Sequence, residues 1–219
     1  MPRLLFEKVG AGVWISHLDL MRLFQRAFQR AKLPLKHSQG FNPRPIVSIA
    51  LPLSVGVGSQ CELLDFALDG ASVPCAEIVS GLNRTLPAGI RVLQCFDSDR
   101  KTRDIAFLEA VLTLEYDIGV PEGCVERIGA LFRRDSLPVT KNGKNGPTEQ
   151  DIIPMLRAFR VEAEDENTVC LTATVCAQNP SLNPMQLHAA IREHLPAFAP
   201  DFVLCCRREI YDQNGNVFR

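Results

Sequence analysis

The sequence predicts an α+β protein made of two tandem ferredoxin-like (βαββαβ) units, each with an antiparallel sheet and its helices on one face. Three observations lead there. The composition is that of an ordinary globular chain, with 46% hydrophobic and 22% charged residues among 219. Hydrophobic periodicity alternates between the strand and helix repeats in the order strand, helix, strand, strand, helix, strand. That order occurs twice, once over residues 1–97 and once over residues 105–219, with the polar stretch Asp97–Asp104 between as a linker.

In the first unit, residues 3–9 read as a strand. Ser16 with Asp19 three residues on gives a capping-box start, Asp standing where Glu is usual. From there to Ala31 the pattern is helical, with Leu20, Phe24, Ala27, Phe28 and Ala31 on one face. Leu33-Pro34 ends it, because proline disfavours helical backbone in the residue before it. A loop rich in Gly, Pro and Asn follows, then the apolar run Ile46–Leu51 and the segment Gly56-Val57-Gly58-Ser59. Residues 61–68 read as a strand, 74–85 as a helix opened by Ser72 and a proline in the first turn, and 90–96 as a strand.

The second unit opens on a well-alternating strand at 107–117 and a helix at 122–134. Residues 138–156 read as irregular, with two turn signals, Asn142-Gly143 and Asn145-Gly146. Strands at 158–163 and 168–176 are joined by the charged turn Asp165-Glu166-Asn167. A helix at 184–195 has Asn183 as cap and Pro184 in its first turn. A strand at 202–211 closes the unit.

The N-terminal residues lack the apolar core and cleavage site of a signal peptide. No apolar run approaches the roughly 18 residues of a membrane span. The chain is therefore expected in the cytoplasm, with no membrane partner. The eight cysteines (Cys61, Cys75, Cys95, Cys124, Cys170, Cys176, Cys205 and Cys206) show no CxxC or Cys/His zinc spacing. They read as reduced thiols, and no metal site is expected.

The formal net charge of -1 excludes a uniformly basic nucleic-acid coat, but it conceals an asymmetry. Residues 1–60 hold eight Lys/Arg and two Asp/Glu, a net +6; the remainder holds 16 and 23, a net -7. A basic front end points to an anionic partner, nucleic acid being the commonest.

Three sets of residues carry candidate chemistry. Arg22, Arg26 and Arg30 recur at helical spacing, so their guanidinium forks share one face, flanked by Gln25 and Gln29, with no acidic residue four positions away. With Lys36 and Arg44 they form the expected nucleic-acid-binding set. The second set is the loop Ser38-Gln39-Gly40-Phe41-Asn42-Pro43-Arg44-Pro45, where Phe41 is either a buried anchor, the reading favoured here, or a stacking platform for a base. Gly56, Gly58 and Ser59 are candidates for a backbone anion nest, without the Lys-Ser/Thr of a P-loop. The third set is His17 and His37, weak candidates for acid–base catalysis. They bracket a helix and stand about 20–25 Å apart at 1.5 Å per residue unless the chain folds back. His188 and His194, six apart, have poor metal spacing.

The stretches Phe6-Glu7-Lys8, Ile15-Ser16-His17-Leu18-Asp19-Leu20-Met21-Arg22 and Ser38-Gln39-Gly40-Phe41-Asn42-Pro43-Arg44-Pro45 resemble the bacterial radical-SAM-linked protein family. So do Ser48–Leu53, Gly56, and Ser59 through Glu62-Leu63-Leu64-Asp65. Members of that family occur alone or fused behind a radical SAM domain, and no activity is established for it. The resemblance implies a radical SAM enzyme as partner. That partner would carry the iron–sulfur cluster and S-adenosylmethionine, with no cofactor bound by this chain.

The architecture is also similar to that of the RAMP RNA-processing proteins, but Pro196–Asp201 lacks their glycine-rich loop. The expectation is a non-catalytic, RNA-contacting accessory protein in RNA modification or processing. The alternatives are a metal-independent endoribonuclease using His17 or His37, and a pure protein–protein adaptor.

Overall fold

In the computed structural model, which describes residues 1–70, 72–143 and 146–219, the chain folds as an α+β protein of two compact units. Met1–Asp104 together with Arg219 form the first, Ile105–Phe218 the second.

The first unit runs β1 (Pro2–Lys8), α1 (His17–Arg30), β2 (Val47–Ile49), β3 (Val57–Phe66), α2 (Cys75–Asn83) and β4 (Ile90–Asp97). β1 pairs antiparallel with β3 on one side and β4 on the other, and β2 pairs antiparallel with β3 at the edge. The order β4-β1-β3-β2 is that of a ferredoxin-like sheet. β3 begins four residues earlier than the periodicity suggests, so Gly58 and Ser59 are strand residues. β2 is a short edge strand between Pro45 and Pro52, as suits a residue type that cannot donate to a ladder.

Both helices lie on one face. Leu4 and Phe6 of β1, Leu64 and Phe66 of β3, and Ile90 and Val92 of β4 pack with Leu20, Phe24, Ala27 and Phe28 of α1 and Ile78 and Leu82 of α2. Phe24 meets Phe6 edge-on at 4.7 Å between ring centroids, and Phe28 meets Phe66 at 5.0 Å. Ser16 caps α1 as its sequence position predicts, its hydroxyl accepting from the Asp19 N–H at 3.2 Å. Ser72 does not cap α2, which starts later, after Pro74, and has no side-chain cap.

The C-terminus of α1 is a Schellman turn. Leu33 N–H donates to Phe28 O and Lys32 N–H to Gln29 O, with Lys32 held in the left-handed region at φ 57°. Two basic residues of the front end are structural. Arg3 is buried, bidentate to Asp65 at 2.6 and 3.0 Å, and also donates to Ser98 Oγ and Arg100 O, which ties residues 98–100 to the first unit. Lys8 is buried with its Nζ donating to Val13 O and Val57 O, satisfying a charge that burial would otherwise penalise.

The second unit runs β5 (Ile105–Glu115), α3 (Cys124–Phe132), β6 (Pro138–Gly143), β7 (Gly146–Asp151), β8 (Leu156–Ala163), β9 (Thr168–Cys176), α4 (Met185–His194) and β10 (Phe202–Asp212). Its antiparallel order β10-β5-β9-β8 repeats that of the first sheet. Leu108, Ala110, Leu112 and Leu114 of β5 and Val169, Leu171, Ala173 and Val175 of β9 alternate into the core with Ile128 and Phe132 of α3 and Leu187 and Ile191 of α4. Asn183 caps α4, its side chain accepting from Met185 N–H.

Residues 138–151, expected to be irregular, form the hairpin β6–β7 instead. Its ladder continues to Gly143 opposite Gly146, so Asn142-Gly143 extends a strand; the Asn145-Gly146 signal falls partly on Asn145, outside the described residues. The hairpin is held from α4: Glu193 accepts from Thr140 N–H and Oγ1, and His194 Nε2 stands 2.8 Å from Pro138 O. Among the described residues no helix is long and apolar enough to cross a membrane.

Candidate functional site

The buried face of α1 fixes what its other faces can do. With Phe24, Ala27 and Phe28 in the core, Arg22, Arg26 and Arg30 emerge along one exposed side. They line an open groove of about 650 Å³ whose opposite wall is Thr85, Leu86 and Pro87, after α2. The three are not equivalent. Arg22 pairs with Asp19 at 2.9 Å, so the ridge does have an acidic neighbour, three positions back rather than four. That contact and, ahead of it, the Ser16 hydroxyl hold the Asp19 carboxyl below its ordinary range. Arg30 donates to Thr85 O at 3.1 Å, bridging the groove. Arg26, between them, is exposed and has no hydrogen-bond or ion-pair partner among the described residues.

Arg26 also lines a second groove, of about 420 Å³, on the other flank of α1. Gln25 and Gln29 form one wall, and the chain returning after the Lys32 turn forms the other, through Leu33, Pro34, Leu35, His37 and Pro45. The segment is anchored to the sheet, Lys36 N–H donating to Ala67 O and Ile46 N–H to Lys36 O. The Lys36 side chain is exposed beside it.

The Ser38–Pro45 loop rises from this anchor and is closed at its base. Ser38 N–H donates to Arg44 O at 2.8 Å, Arg44 N–H donates to Ser38 Oγ at 3.0 Å, and His37 bridges Pro45. Gln39, Gly40, Asn42 and Pro43 are exposed, as is Arg44. Phe41 is fully exposed, at 102% of its reference area, so it is not a buried anchor: the closed base leaves it no core to reach.

The anion-nest reading of Gly56, Gly58 and Ser59 is overturned. Gly56 N–H is spent on Val13 O, and Ser59 lies buried in β3 opposite Lys8. His17 is the first residue of α1 and His37 lies past its other end, in the second groove; neither groove brings the two together. The sequence reading singled out the arginines and the loop, but it missed the groove between Gln25, Gln29 and Pro45. Its walls come from a helix face and an irregular returning segment, which a linear pattern does not place together.

Four of the thiols are shifted away from reactivity. Burial pushes the thiols of Cys95 and Cys205 up to about 12, with the neighbouring Cys75 and Cys206 adding to it. Burial also raises Cys124 and Cys170. A catalytic thiolate needs the opposite shift. Among the described residues no three of His, Cys, Asp and Glu gather as a metal site.

Comparison with known proteins gives a family and a fold. Residues 2–184 match the model of a family described as "Uncharacterized protein conserved in bacteria (DUF2344)". No curated protein sequence matches the chain. A chain from the crystal structure of a Cbf5-Nop10-Gar1 complex is similar in fold, with a TM-score of 0.51 at 10% identity over 95% of this chain. This chain spans about half (48%) of that neighbour's length. An unknown protein from Galdieria sulphuraria aligns over 94% of the chain at 13% identity, with a TM-score of 0.26.

Proposed function

The chain belongs to the bacterial DUF2344 family, and from that premise we propose that it is a non-catalytic accessory protein that holds RNA for a radical SAM enzyme. The observation that carries the RNA contact is the groove in which Arg22, Arg26 and Arg30 line up along α1 with Arg26 unpartnered. Guanidinium forks at helical spacing suit successive phosphates, and such contacts give affinity without reading sequence. Lys36 and Arg44 extend the basic surface past the end of α1. The reading of the radical SAM partner, which brings the iron–sulfur cluster and S-adenosylmethionine, rests on the motif resemblance at Ile15–Arg22 and Ser38–Pro45. The separation of His17 from His37, at opposite ends of α1, favours an accessory role over an endoribonuclease. The fold likeness to a chain of a multi-protein complex is in keeping with work inside an assembly.

The test is RNA affinity against salt for the wild type and an Arg22→Ala/Arg26→Ala/Arg30→Ala variant. Each lost contact to a single strand lowers the slope of log K on log salt by about 0.7, so a fall of about 2 is expected. An unchanged slope in a folded variant overturns the RNA reading and leaves a protein–protein adaptor. In parallel, co-purification of the radical SAM enzyme that survives RNase treatment is the expected result for a direct partner.

A further inference from the structure

We propose that the second groove, between Gln25 and Gln29 of α1 and the Leu33–Pro45 return, is a nucleobase pocket. The chain then takes an unpaired nucleotide rather than a duplex. This inference rests on the RNA reading of the first groove and names its substrate class.

Four observations converge on it. The groove's volume of about 420 Å³ falls within the range of small-ligand pockets. Its apolar lining comes from Pro34, Pro45 and the edges of Leu33 and Leu35, with Phe28 buried beneath them, as the flat face of a base requires. Its rim holds two carboxamides and an imidazole. Gln25 and Gln29 each offer a donor pair and an acceptor, and His37 one of each in its neutral form, the combination that pairs with a base edge. Finally, Arg26 lines both grooves, so a phosphate on its guanidinium delivers the attached base to the Gln25/Gln29 side. Phe41, fully exposed on the adjacent loop, offers a second apolar face for a neighbouring base.

The pocket on the Gln25/Gln29 side, not the arginine spacing, argues for an unpaired strand. In a duplex the bases are stacked inside and their pairing edges are occupied, so neither groove could be filled together with the other.

The experiment compares three probes on the wild-type protein by fluorescence anisotropy: an unstructured single-stranded RNA, the same strand with abasic positions, and its duplex. Stacking is worth a factor of about 5 to 160 per base, so the abasic strand is expected to bind weaker by at least about fivefold. Its salt slope is expected to match that of the intact strand, because the phosphates are retained. A Gln25→Leu/Gln29→Leu variant, changed only on the outer side of α1, is expected to narrow the gap between intact and abasic strands. Equal binding of intact and abasic strands, or tighter binding of the duplex, overturns the pocket while the salt slope still upholds the phosphate contacts. Loss of binding to all three probes overturns both.

Discussion

The two units share one plan and use it differently. Each varies it at the same point, between the first helix and the second strand. In the first unit this connection is the Schellman turn at Lys32, the anchored return Leu33–Lys36 and the closed Ser38–Pro45 loop. In the second it is the hairpin β6–β7, strapped to α4 through Glu193 and His194. The first helices differ as well. α1 has 14 residues and keeps a whole face of arginines in solvent, whereas the 9-residue α3 buries Cys124, Ile128, Gly129, Leu131 and Phe132. The same topology thus exposes an arginine face and a closed loop in one unit and carries a shorter helix and a strapped hairpin in the other, which is why fold alone does not identify function.

The sharpest test of this contrast truncates one aromatic side chain in each core. Phe24→Ala and Phe132→Ala both remove a buried ring, and each is expected to cost about 3–5 kcal/mol of stability in urea denaturation. Only Phe24→Ala should weaken RNA binding, since only it loosens α1. Hydrogen exchange of the core amides separates the two units, while circular dichroism follows both.

Backbone crowding gives the next effect. Gly89, at φ 87°, leads out of the Thr85–Pro87 wall, and a Cβ there would stand 2.4 Å from Val9 O. Gly119, at φ 96° in the second unit, has nothing nearer than Glu166 O at 3.6 Å. Gly89→Ala is therefore expected to cost more than about 2 kcal/mol and distort the first groove, against about 1 kcal/mol for Gly119→Ala from the backbone conformation alone.

The smallest effect is in pH. Burial, and then Arg192, hold the half-buried His188 of α4 below its ordinary value of about 6.5. The unfolded chain binds this proton at higher pH than the folded one, so the contribution of neutral His188 is full above about 6.5 and is lost as pH falls below it. Asp19, held low by Ser16 and Arg22, acts only further down: its contribution is full above about 3.9 and is lost as pH falls through its lower folded value. Between about pH 7 and 5 the circular dichroism midpoint should drift downward, and His188→Gln should remove the drift.

What the sequence made legible was local. The cap at Ser16, the stripe of Leu20, Phe24, Ala27 and Phe28, and the alternation of β5 and β9 each follow from neighbours a few residues apart. The hairpin was illegible because Val-Thr-Lys-Asn and Pro-Thr-Glu-Gln carry no strand alternation; its support comes from Glu193, some fifty residues on. Phe41 was misread because an apolar residue in a loop is ordinarily buried. Here the hydrogen bonds between Ser38 and Arg44 close the loop beneath it. Of the eight basic residues in the front end, Arg3 and Lys8 prove to be internal struts, a distinction that a charge count cannot make.

One guanidinium shared by two grooves has a thermodynamic consequence. Separate occupants, an inorganic phosphate in one groove and a free base in the other, meet at Arg26 and gain nothing from each other's presence. Once the phosphate and the base are covalently joined, the second contact forms at an effective concentration set by the tether, and the two contacts reinforce each other. If the proposed nucleotide site is occupied in this way, Arg26 makes it a chelator of intact nucleotides that discriminates against the fragments from which they are made.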